Sequence, residues 1–257
     1  MEALDRILEQ IRKNTMSSQA NGNQKQQGAT IQYKCDLCKD LGYIMTPQEH
    51  SQPLFTPCKC QEREKLKRLW NASGINIDNL DKTFTNFEEW STKAKEMKDK
   101  AIDYYRCFNT IRKERKNSIL LCGNPGSGKT HIALALANNF LKKGIRVVYM
   151  PYRDIITNLK QNMVDEENYK KTLSKYQTAE VLLLDDLYKG KINETDINIM
   201  FELINYRYLN NLPMIVSTEF SIERLLEFDE AIGSRVHEMC KDYEIEVEGK
   251  ENNYRLR

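Results

Sequence analysis

An α/β fold, with a parallel sheet wrapped by helices and a small appendage at the N-terminal side, is what the sequence predicts, and three observations predict it. The run Gly123-Asn124-Pro125-Gly126-Ser127-Gly128-Lys129-Thr130 stands between an apolar stretch, residues 118–122, and a helix-like stretch, His131 to Leu141. A second apolar stretch, Val181 to Leu184, ends in the carboxylate pair Asp185-Asp186. Apolar runs and helical stretches alternate along the second half, and the runs lack clean alternation, as expected of strands covered on both faces.

The elements follow in order. Residues 1–14 place Leu4, Ile7, Leu8 and Ile11 at helical spacing, with Asp5, Glu9, Arg12 and Lys13 opposite, which predicts a short amphipathic helix. So short a helix is not stable alone, so its apolar stripe docks either on this chain or in a partner's groove. Residues 15–30 are rich in Ser, Gln, Asn and Gly and read as a flexible linker. Residues 31–81 form a cysteine module followed by a connecting helix, Glu62 to Ala72, bearing Leu66, Leu69 and Trp70. From residue 82 to 257 the expected elements are strands at 118–122, 146–150, 181–184 and 214–218, and helices at 130–142, 154–161 and 196–208.

Cys35 and Cys38 form one close pair and Cys58 and Cys60 another, separated by a turn-rich stretch with Gly42, Pro47, Pro53 and Pro57. That is the layout of a small zinc knuckle, in which each pair places two thiolates on one ion. The four cysteines use both pairs intact; His50, which lies between them, is the alternative to one of the cysteines. Two metal-free thiol pairs are the plain alternative. Cys107, Cys122 and Cys240 are scattered and read as small core hydrophobes.

The glycine-rich run is a phosphate-binding loop in the strand–loop–helix setting it needs, and it predicts binding of a nucleoside triphosphate. Backbone N–H groups turn toward the phosphates, Lys129 reaches the β/γ oxygens, and the Thr130 hydroxyl ligates Mg²⁺ at the positive end of a helix. Asp185 then belongs to the Mg²⁺ shell and Asp186 to the attacking water. The bland reading of the pair is a strand end with a turn cap. Glu219 closes the run 214–218 and can touch the γ-phosphate or its water, or merely cap the strand. Arg235, in the helix-like stretch 233–236, can reach a neighbouring subunit's γ-phosphate or serve as a surface salt-bridge partner.

Composition limits the classes available. The 257 residues suffice for one full-sized domain and a small appendage, and the net charge is only +2 with 30% charged residues. No overall field therefore marks a nucleic-acid binder, and any basic surface is local. Residues 93–116 hold nine Lys/Arg against four acids, which suits a solvated helix face at least as well as a DNA contact. No apolar run reaches membrane-spanning length and the acidic start is unlike a signal peptide, so a soluble, cytoplasmic protein without a membrane partner is expected.

The segments GNPGSGKT, VLLLDDL, PMIVSTEFSIERL, AIGSRVHEM and the closing NYRLR, with the CDLC and CKC pairs before them, resemble bacterial replicative-helicase loaders of the DnaC/DnaI type over nearly the whole chain. The resemblance implies an AAA+ P-loop ATPase domain behind an N-terminal, zinc-containing, helicase-binding domain. It also implies a DnaB-type hexameric helicase and single-stranded DNA as partners, and self-assembly through the ATP site. Matched to this sequence, Lys129 and Thr130 fall in Walker A, Asp185 and Asp186 in Walker B, Arg235 at the arginine finger, Arg255 at a second sensor, and the cysteine pairs at the metal site. The sequence departs from the pattern at Glu219, where many relatives carry Asn, and at Asp186, where most AAA+ enzymes carry Glu. Asp is one methylene shorter, which suits slow hydrolysis by a switch. Two rivals remain: a transposition accessory ATPase of the IstB type, which shares the core but usually lacks the cysteine module, and a non-hydrolysing helicase-binding adaptor.

Overall fold

The computed structural model describes residues 33–48 and 51–256, which fall into two compact units divided between Arg68 and Leu69. The amphipathic stretch 1–14, the linker 15–30 and His50 lie outside the described residues.

In the first unit the chain enters a tight turn in which Lys39 (φ 50°) and Asp40 (φ 67°) adopt left-handed backbone. The Asp40 carboxylate accepts from the Lys34 and Cys35 amides at 3.1 and 2.9 Å, the local bonding that lets aspartate tolerate that conformation. Between the cysteine pairs, where turns are expected, lies an antiparallel hairpin of β1 (Tyr43–Gln48) and β2 (Ser51–Pro57). Aromatic, β-branched and threonine residues supply the strand preference, and an isolated two-stranded ribbon is all edge, where Pro53 and Pro57 cost little. Helix α1 (Lys59–Ser73) follows and begins one residue before Cys60.

The second unit is a five-stranded parallel sheet covered by helices. In chain order its elements are α2 (Thr92–Ile111), β3 (Ile119–Gly123), α3 (Lys129–Lys142), β4 (Val147–Pro151), α4 (Tyr152–Gln161), α5 (Glu166–Gln177), β5 (Val181–Leu187), α6 (Glu194–Leu209), β6 (Met214–Thr218), α7 (Ile222–Phe228), α8 (Glu230–Cys240) and β7 (Glu244–Val247). The strand order is β4-β5-β6-β3-β7. Strand β3 is thus an interior strand, flanked by β6 and β7, and its carboxyl end opens on the edge of the sheet where such folds bind ligands. Its residues Ile119 to Cys122 are fully buried, which explains the unbroken apolar run.

Helix α2 carries the first part of the basic stretch 93–116, which runs on past the end of the helix at Ile111. The Ser91 hydroxyl caps it by accepting from the Ala94 amide at 3.0 Å, and Ala94, Met97, Ala101, Tyr104 and Phe108 recur every three or four residues as its buried stripe. The lysines stand on the remaining faces, where Lys93 pairs with Glu96 and Lys98 with Glu89. Cys122 and Cys240 are buried as expected, but Cys107 is exposed. It follows Arg106 on the outer side of α2, so helical phase overrides the general preference of free cysteine for the core.

Strand β7 and helices α5 and α7 are additions to the elements expected. Strand β7 is only four residues long, alternating Ile245 and Val247 inward with Glu244 and Glu246. Helix α5 buries only Leu173 and Tyr176, so its polar length masks a narrow apolar edge.

Candidate nucleotide-binding site

A cleft of about 360 Å³ opens at the carboxyl edge of the sheet, lined on one side by Pro125, Gly126, Gly128, Lys129 and Thr130 and on another by Asp186, Lys189 and Glu219. Gly126 (φ 76°) and Gly128 (φ 83°) hold the loop in left-handed backbone open to glycine, and a Cβ on Gly128 would stand 2.7 Å from the Phe87 ring. Helix α3 starts at the end of this loop, so its free N–H groups face the cleft.

Lys129 is 5% exposed, and its ammonium donates to the Gly123 and Asn124 carbonyls at 2.8 and 2.7 Å. Burial pulls its pKa down, and the Glu219 and Asp186 charges pull back the other way. Ser127 is buried and donates to the Asn124 carbonyl, bracing the loop.

The carboxylate pair divides at the end of β5. Asp185 is buried and accepts from the Thr130 hydroxyl at 3.0 Å, the Ser217 hydroxyl at 2.5 Å and the Tyr149 hydroxyl at 3.1 Å. Burial raises its pKa, the Ser217 bond lowers it, and the neighbouring Asp186 charge adds to the rise. Pairing between β5 and β6 slips between Leu184 and Leu187, and Asp186 takes left-handed backbone (φ 57°). Its side chain turns into the cleft while its amide donates to the Ser217 hydroxyl at 2.9 Å. Lys189, two residues beyond the end of β5, sits 2.8 Å from Asp186 and 3.3 Å from Glu219.

The far wall joins the closing NYRLR segment to a segment around Phe87 and Trp90 that the sequence did not single out. Phe87 lies 5.3 Å from Trp90, and Trp90 lies 4.9 Å from Tyr254, ring centre to ring centre. His131 packs edge-on against Phe87 and bonds through Nε2 to the Thr83 carbonyl at 3.0 Å. Three aromatic faces beside a phosphate loop can sandwich a heterocyclic base. The chain segment after β7 closes this wall: the Tyr254 amide donates to the Gly126 carbonyl at 3.0 Å, and Arg255 lines the cleft. Arg235 lies on α8 and is not among the lining residues; its guanidinium donates to Asn205 and the Ala231 carbonyl and lies over Phe201 and Tyr208.

In the cysteine unit, the Sγ atoms of Cys35, Cys38, Cys58 and Cys60 all lie within 4.8 Å of one another. Tetrahedral thiolate ligands about 2.3 Å from one zinc ion stand about 3.8 Å apart, and Cys35–Cys58 and Cys38–Cys60 measure 3.7 and 3.4 Å. The four-cysteine set is therefore complete in space. The Cys38 amide lowers the Cys35 thiol to about 7, whereas Cys60 is pushed up to about 12 by sharing its proton with Cys38. Clustered thiols cannot all ionise unaided, and a dication is what the donor set accommodates.

A parallel sheet in this order, a phosphate loop after the interior strand β3 and a carboxylate pair on β5 of the same sheet define an AAA+ P-loop ATPase. The chain belongs to the IstB-like ATP binding protein family, which it matches over residues 60–257. It is 38% identical over 229 residues to the uncharacterized protein YqaM of Bacillus subtilis (strain 168), covering 84% of this chain and 72% of that one. Its identity to the phage-like element PBSX protein XkdC of the same organism is 35%, over 98% of this chain and 97% of that protein. Among solved structures, the DnaC helicase loader matches with a TM-score of 0.56 at 26% identity, over 70% of this chain and 99% of that one. The family is thus the one the sequence reading held as a rival, while the likeness to loaders persists in the fold. Among the described residues no helix is long and apolar enough to cross a membrane.

Proposed function

We propose that this ATPase is a loader that binds a hexameric, DnaB-type replicative helicase and delivers it onto single-stranded DNA. The observation that carries the reading is a cysteine unit, separate from the ATPase unit, with Leu37, Leu41, Met45, Leu54 and Phe55 at least half exposed. Apolar side chains gathered on so small a unit are a surface for a protein partner. The likeness to the DnaC helicase loader supports the same reading.

In this reading residues 123–130 cradle the β- and γ-phosphates, and Phe87, Trp90 and Tyr254 take the base. Thr130 and Asp185 would hold Mg²⁺, which neutralises phosphate oxygens. Asp186 orients the water, Glu219 stays on the water side, and Arg255 approaches the phosphates from the C-terminal segment. Arg235 completes a neighbouring subunit's site, so turnover is slow until subunits assemble on DNA. Cys35, Cys38, Cys58 and Cys60 would hold a structural Zn²⁺ that stabilises the helicase-binding unit. Local basic loops hold single-stranded DNA in a salt-sensitive manner.

The decisive experiment is helicase loading by Lys129→Ala: the variant should capture the helicase but lose ATP-dependent loading, and normal loading would overturn the proposal. Cys35→Ser should lose zinc and helicase binding while still binding ATP; metal analysis finding no zinc in the native protein would remove that part. The rival reading, a transposition accessory ATPase, draws on the family itself. That family match begins at residue 60 and leaves Cys35, Cys38 and Cys58 outside it. Failure to capture the replicative helicase, with capture of a transposase instead, would decide for the rival, and absence of turnover with DNA and helicase present would decide for a non-hydrolysing adaptor.

A further inference from the structure

We infer that Lys189 reads the γ-phosphate: its ammonium, suspended between Asp186 and Glu219 in the cleft, is the donor that distinguishes a nucleoside triphosphate from a diphosphate. The inference rests on the nucleotide reading of the cleft and deepens it.

Lys189 is placed by unusual backbone. Asp186 and Tyr188 both adopt left-handed conformations (φ 57° and 62°), and the Lys189 amide donates to the Asp186 carbonyl at 3.1 Å. Such backbone is costly for non-glycine residues and persists only where its surroundings hold it. Here the hold is Tyr188, 1% exposed and ringed by Tyr152, Phe220 and Phe228. Lys189 therefore starts from a fixed anchor, and its side chain lines the same cleft as Lys129 and Thr130.

Stability does not account for the arrangement. The Lys189 side chain is 45% exposed, and pairs that open to water contribute little. Charge balance in the cleft does account for it. Asp186 and Glu219 alone would present two carboxylates to an incoming polyphosphate, and like charges repel. Lys189 offsets them, and of its three N–H donors the carboxylates at 2.8 and 3.3 Å occupy two, leaving one for a phosphate oxygen. Glu219 then acts as the holder of a phosphate-binding cation instead of as a repelling neighbour.

The test compares equilibrium binding of ADP and of a non-hydrolysable ATP analogue, both with Mg²⁺, by calorimetry on the full chain. Loss of one charge-assisted bond to the third phosphate should cut the preference of Lys189→Met for the triphosphate by about tenfold to a hundredfold, with ADP affinity falling by a smaller factor than that of the triphosphate analogue. Lys189→Arg should restore most of the preference. Glu219→Gln, which loosens the ammonium without removing it, should lower the preference by a smaller factor. A wild-type preference in both Lys189→Met and Glu219→Gln would overturn the inference and leave the nucleotide site standing. If the unmodified protein binds neither nucleotide, the reading of the cleft falls, and this inference with it.

Discussion

Three hydroxyls converge on the Asp185 carboxylate, from α3, β4 and β6, and together they only partly offset its burial. A group whose pKa is raised above its ordinary 3.8 stabilises the fold at acid pH, where it is protonated. That contribution is lost as pH rises through the folded-state value, so at neutral pH the ionised group is a cost retained for function. Asp185→Asn should therefore melt at the same or a higher temperature than the parent without nucleotide, while Mg²⁺-dependent turnover falls by about a hundredfold or more. A scanning calorimetry trace with a lower melting temperature would contradict this. His131 has the opposite sense: burial holds its pKa below the ordinary 6.5, so its contribution is full above that pH and is lost as pH falls through the folded value. Melting temperatures measured from pH 8 to 5 should fall less steeply in His131→Gln than in the parent.

At the scale of elements, the readings that held came from short contiguous patterns. Strand β3, the phosphate loop and α3 follow one another without a break, so loop chemistry and helical phase suffice to find them. Strand β7 was visible only as an alternation of Ile245 and Val247 with glutamates over four residues, and α5 as two buried side chains in a polar stretch. Arg207 marks a sharper limit. It lies on α6 with no exposure and donates to the carbonyls of Tyr176, Gln177, Ala179 and Pro213 at 2.6–3.0 Å. It thereby ties the end of α5 to the chain entering β5 and β6, yet in sequence it is simply the one cation of α6, near its C-terminal end. Arg207→Ala strands four inward carbonyls and should cost about 3–5 kcal/mol, read from urea unfolding. A loss under about 1 kcal/mol would mean that water replaces the guanidinium.

For the whole molecule, the proposal of subunit cooperation turns on Arg235. Its guanidinium is held by Asn205, the Ala231 carbonyl and the faces of Phe201 and Tyr208, outside the cleft lining. On the proposed reading, Arg235→Ala should bind nucleotide normally yet turn over about a thousandfold more slowly, and mixing it with Lys129→Ala should recover activity. Recovery is expected because each variant supplies what the other lacks; unchanged turnover by Arg235→Ala alone would refute the role. The sequence by itself determined the sheet class, the phosphate loop, the carboxylate pair and the cysteine pairs, because each is written in neighbouring residues. Only the tertiary structure decided that Phe87, Trp90 and Tyr254 share a wall of the cleft, and that Lys189 stands between Asp186 and Glu219. Those meetings join residues from distant parts of the chain through sheet order and an irregular strand end, and no local periodicity records which distant segments the packing brings together.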